Sequence, residues 1–94
     1  MNQAIKIVGA GLIGTSLGLA LARKGVIASL SDHSKANLSL AIEYGAGVES
    51  SDEPDLVIVC VPPDLSAKVI CEQLASHKNA VVTDVASVKV SIAK

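Results

Sequence analysis

The residues of this sequence best suited to chemistry are Gly9-Ala10-Gly11-Leu12-Ile13-Gly14, a G-x-G-x-x-G, and Asp32, 18 positions beyond the last glycine. The glycine string follows a short β-branched run and opens a long apolar one, the strand-to-helix setting in which such a loop can bind a diphosphate. Gly9 permits the tight turn out of the strand. Gly11 has no Cβ and lets a phosphate approach the backbone, and Gly14 lets the helix press against the sheet. The amides at the helix start, among them those of Leu12 and Ile13, would then hold the phosphates with the helix's partial positive charge and without a lysine. Asp32 ends the second strand, where a carboxylate accepts hydrogen bonds from adenosine ribose hydroxyls and repels the 2′-phosphate of NADP. NAD is therefore favoured over NADP. His33 and Lys35 follow closely enough to offset part of that repulsion.

Other chemistries fit poorly. Cys60 and Cys71 match no metal or redox spacing, and Cys60 lies in a Val/Ile run where a thiol behaves as a small buried hydrophobe. A net charge of −1, from 8 basic and 9 acidic residues, excludes an electrostatic nucleic-acid platform. Tyr44 is the only aromatic residue, which excludes base stacking as well. No signal peptide and no uninterrupted apolar stretch of membrane-spanning length is visible, so the expected location is cytoplasmic, with no membrane partner. His77, in a polar S-H-K-N stretch, reads as a solvated loop residue.

The elements that must position the loop and the acid alternate regularly. Ala4–Val8 reads as a strand, Leu12–Lys24 as a helix ended by Gly25, and Val26–Leu30 as a second strand. Ser34 caps a second helix with Leu38, Ala41 and Ile42 on one face, ended by Gly45. Gly47–Glu49 is a short third strand. Asp55–Val61 is apolar without alternation, as in a strand buried on both faces of a parallel sheet. Pro62 and Pro63 stop it, Asp64 caps a third helix, and Asn79–Thr83 is the fifth strand. Gly18, costly inside a helix, implies close helix–strand packing. The whole is one α/β domain, residues 1–94, a doubly wound parallel sheet of Rossmann type with strand order 3-2-1-4-5. Its switch point lies between strands one and four, so Val61 and Pro62 would offer backbone and apolar surface to a dinucleotide across the crevice.

The stretch Val82-Thr83-Asp84-Val85-Ala86-Ser87-Val88-Lys89 follows strand five. Together with G-x-G-L-I-G-T-S-L at Gly9–Leu17 it resembles the N-terminal nucleotide domain of the prephenate/arogenate dehydrogenase family of tyrosine biosynthesis. The resemblance implies a nicotinamide cofactor, a prephenate or arogenate substrate oxidised with loss of CO₂, and a homodimeric parent protein. It assigns Ser87 a place near the nicotinamide, orienting the substrate hydroxyl and the catalytic histidine. From spacing alone Ser87 reads as the N-cap of a further helix, and a hydroxyl can serve both ends. Asp84 reads as a turn residue.

The family's G-G-H-P segment, which carries its catalytic histidine, is not found in these 94 residues, and neither is its helical C-terminal domain. The expectation is a truncated domain able to bind dinucleotide and unable to turn over substrate. Two alternatives stay open: the nucleotide domain of another β-hydroxyacid dehydrogenase or reductase, and a stand-alone dinucleotide-binding module.

Overall fold

The computed structural model describes residues 4–50 and 53–84. Four parallel strands, β1 (Ile5–Val8), β2 (Ser29–Ser31), β3 (Leu56–Val59) and β4 (Val81–Asp84), form one sheet in the order β2-β1-β3-β4. Helices α1 (Leu12–Arg23), α2 (Lys35–Glu43) and α3 (Pro63–Ser76) connect them. The expected third strand is reduced to a single parallel bridge, Ser29 to Val48, on the free side of β2. With that bridge counted, the order is the expected 3-2-1-4-5.

Two apolar layers hold the sheet. On one face Ile5, Ile7, Leu30 and Ile58 meet Ala41 of α2, Ala46 and the inner side of α1. On the other, Val8, Val57 and Val59 meet Val69 and Ile70 of α3. β1 and β3 supply residues to both layers; β3 accordingly runs apolar without alternation, whereas β1 carries the half-buried Lys6. The stretch that leads into and forms β2 instead reads Ala28-Ser29-Leu30-Ser31, with the two apolar residues buried and the serines half-buried. α3 packs on β3 and β4, so the serine face of β2 borders open space and needs polar groups.

Glycine contacts set how closely the layers approach. A Cβ on Gly14 would overlap the carbonyl oxygen of Gly9 and crowd Ile7, so the start of α1 lies directly on the loop and on β1. Gly18 differs from expectation. Its Cβ would overlap the carbonyl of Ala46, so the close approach is to the segment leading into the Val48 bridge and not to a full strand. Gly25 and Gly45, at φ +83° and +86°, follow α1 and α2 in the left-handed conformation that ends helices.

Local readings also shift. Asp64 lies inside the first turn of α3, where its charge suits the helix dipole; the N-cap position is held by Pro62. Asp84 is no turn residue: it is the last residue of β4, in register with Val59. His77 is not solvated. Its side chain is 16% exposed, and its Nδ1 stands 3.2 Å from Glu53 Oε2. Lys6 Nζ donates to Gln73 Oε1 at 3.0 Å and reaches His77 Nε2 at 3.2 Å. An ammonium only donates, so Nε2 accepts and Nδ1 carries the hydrogen that Glu53 receives. The network ties β1, the end of α3 and the entry to β3 together, and burial lowers the Lys6 pKa despite the opposing pull of Glu53. No helix among the described residues is long and apolar enough to cross a membrane.

Candidate functional site

At the carboxyl ends of β1, β2 and β3 lies a cleft of about 360 Å³, within the range of small-molecule sites. Gly9, Gly11, Asp32, His33, Val61 and Pro62 line it. These are six of the nine residues expected from sequence to meet a cofactor. Gly14 lies beneath the loop and acts through packing. Leu12, 86% exposed, lines a second cavity of about 250 Å³ on the far side of the loop, with Thr15, Leu40 and Tyr44. Ile13 is half-exposed and borders neither cavity. Ser87 lies outside the described residues.

The glycines set the backbone of the loop. Gly9 turns the chain at φ +103°, and a Cβ there would stand 2.6 Å from the carbonyl oxygen of Cys60. Gly11 is the N-cap of α1 and is extended, and no side chain caps the helix. A Cβ on Gly11 would meet no protein atom within 4 Å. The glycine is therefore not demanded by contacts within the fold; it borders both the cleft and the second cavity, beside the uncapped first turn of α1, a place that suits an anion. This is a cradle that a side chain would fill.

Asp32 closes the far end of the cleft, half-buried. Its Oδ2 accepts from the Ala10 amide at 2.6 Å and its Oδ1 from the Ser34 amide at 2.7 Å. Each carboxylate oxygen keeps a second lone pair, so a ribose hydroxyl can still be received. His33 is exposed beside it. Sequence reasoning missed the cleft's floor and long wall: Val8, Ser31, Leu65, Val69, Glu72 and Gln73. Leu65, Val69 and Gln73 recur at helical spacing along α3, but that pattern alone reads as core. Only the register of Val8 with Ser31 shows that the face borders a cavity. Cys60 also lines the cleft, and burial pushes its thiol up to about 11.

A glycine loop between the first strand and helix of a parallel sheet, an acid at the end of the next strand and a cleft at the switch point define a nucleotide-binding domain of Rossmann type. The particular family follows from comparison with known proteins. A family model described as prephenate dehydrogenase, nucleotide-binding domain, matches residues 17–94. The chain is 44% identical over 93 residues to the probable prephenate dehydrogenase NovF of Streptomyces niveus, a match covering 97% of this chain and 25% of that protein. The crystal structure of Synechocystis arogenate dehydrogenase superposes with a TM-score of 0.74 at 28% identity, covering 86% of this chain and 32% of that one. This chain belongs to the prephenate dehydrogenase nucleotide-binding domain family. Membership decides between this family and the β-hydroxyacid dehydrogenase relatives, in favour of the former. The cofactor class of such a domain is a nicotinamide dinucleotide. The chain spans about a quarter to a third of the length of the relatives it matches.

Proposed function

We propose that this chain binds NAD, in preference to NADP, for a dehydrogenase that oxidises prephenate or arogenate with loss of CO₂. The observation that carries the reading is Gly11: a helix start that no side chain caps and a position where a Cβ would meet nothing, in a cleft that Asp32 also lines.

The residues divide the work by position. The first-turn amides of α1 would hold the diphosphate, with Gly11 giving it room. Asp32 would receive the adenosine ribose hydroxyls on its outer lone pairs, and its charge would disfavour a 2′-phosphate. Val61, Pro62 and Leu65 would cover the adenosine with apolar surface, and His33 would border its ribose. The nicotinamide, when bound, accepts the hydride that leaves the substrate. Ser87, a residue of the segment that follows β4, is proposed to orient the substrate hydroxyl there, since a hydroxyl donates and accepts at once. The substrate and the oxidation are proposals for the whole protein, as is a homodimeric, cytoplasmic state.

Calorimetric titration tests the binding step. NAD is expected to bind more tightly than NADP, and Gly11→Val is expected to abolish both while circular dichroism shows an unchanged fold. Unaltered affinity in the valine variant would place the diphosphate elsewhere and end this assignment. Asp32→Ser is expected to weaken NAD and narrow its advantage over NADP.

A further inference from the structure

Around Ala10 the polar groups are arranged in a way that a ribose acceptor alone does not require. The Ala10 amide donates to Asp32 Oδ2 at 2.6 Å, and the Ala10 carbonyl accepts from the Thr15 hydroxyl at 3.1 Å. Ala10 is 4% exposed, so both backbone polar groups of a buried residue are held by side chains. The other carboxylate oxygen of Asp32 takes the amide of Ser34, whose own hydroxyl caps α2. One residue earlier, the Gly9 amide donates to Ser31 carbonyl oxygen at 2.7 Å. The carboxylate thus bridges the glycine loop and the start of α2 through protein groups alone.

We infer that Asp32 is a positioning residue for the glycine loop: clamped between the Ala10 and Ser34 amides, it fixes the diphosphate cradle in the coenzyme-free protein. The inference rests on the dinucleotide reading above and adds to it a role independent of the ribose. Removing the carboxylate leaves the Ala10 amide buried without its acceptor, and a buried orphan donor is relieved by opening the loop. A loop that must be re-ordered when ligand binds lowers the affinity for every dinucleotide, whatever its ribose carries. The loss of a negative charge near the phosphates acts the other way, which makes the sign of the effect diagnostic.

Two measurements on the purified protein separate the roles. The first is amide hydrogen exchange without coenzyme. In Asp32→Ala and Asp32→Ser, exchange at Ala10 and Ser34 is expected to quicken by about tenfold or more relative to Val57 in β3, which reports global opening. The second is affinity for an NAD analogue whose adenosine ribose lacks both hydroxyls. The Asp32 variants are expected to bind it about three- to tenfold more weakly than the unaltered protein does, and to lose more for NAD itself. Thr15→Val, which frees the carbonyl of the same residue, is expected to weaken NAD and the analogue by one common factor, and it serves if the Asp32 variants fail to fold. Analogue binding that is equal or tighter in Asp32→Ala overturns the clamp, as does exchange at Ala10 that merely tracks Val57. An unaltered protein that binds neither dinucleotide sinks the functional reading instead; the exchange measurement then still decides whether the clamp exists.

Discussion

Gly11 and Gly14 stand three residues apart in one motif and answer to different demands. At Gly14 a Cβ would overlap the backbone of Gly9, which cannot yield without moving the loop. Gly14→Ala is therefore expected to cost about 2 kcal/mol or more, as overpacking does. Gly11→Val places its side chain in open space and loses only a good N-cap residue, a cost of about 1 kcal/mol or less. Urea melts of the two variants check the difference. Equal losses would mean that the space beside Gly11 belongs to the fold. Cys60 supplies a second residue-scale effect. Its thiol is raised from 9.0 to about 11 by burial, so between those values the folded chain holds a proton that the unfolded chain has released. Stability from this group is complete below pH 9 and declines as pH rises towards 11. Lys6, lowered by burial, works in the opposite direction below 10.5, because its unfolded form binds the proton more firmly. The urea midpoint is expected to fall more steeply above pH 9 in the unaltered protein than in Cys60→Val; parallel curves would remove Cys60 as the cause.

At the scale of elements, the Lys6–Gln73–His77–Glu53 network joins the middle of β1 to the end of α3. His77→Ala strips Lys6 of one acceptor and Glu53 of a donor in a half-buried place, with an expected loss of about 1 kcal/mol. Lys6→Met is expected to cost less in the His77→Ala background than alone, since an ammonium already short of partners is removed; a coupling of about 0.5 kcal/mol or more in a urea-melt double-mutant cycle checks it. This network was invisible in the sequence because its members are 71 positions apart, and a histidine between Ser76 and Lys78 carries no pattern of its own. β3 was legible because burial on both faces leaves no room for polar residues, and β1 because its β-branched residues lead straight into the glycine loop, although Lys6 interrupts the apolar run. The third strand was over-read: Gly47 presses against Ala28 and Leu30, and the one bridge at Val48 ends the pairing. In the candidate site, the glycines, Asp32, Val61 and Pro62 were legible because phosphate binding and strand termination demand particular residue types. Its floor was not, because Val8 and Ser31 line a cavity only through the register of β1 with β2.

Across the whole molecule the cleft is where the two layers of the domain meet. The glycine loop belongs to the α1 side of the sheet, Leu65 and Val69 to the α3 side, and Asp32 and His33 to the turn that follows β2. A dinucleotide seated there would touch groups that come together only in the folded chain, so binding and folding are linked. At a free ligand concentration ten times Kd the folded state gains about 1.4 kcal/mol. For a domain of this size that amounts to roughly 6–11 °C in Tm. Thermal melts with NAD are expected to show this rise, and melts with NADP at the same concentration a smaller one. Gly11→Val is the decisive comparison, since it keeps the sheet and both layers while filling the cradle. Its melt is expected to be insensitive to either dinucleotide. A rise in the valine variant equal to that of the unaltered protein would show that the ligand stabilises the chain through some other surface, with the glycine loop playing no part.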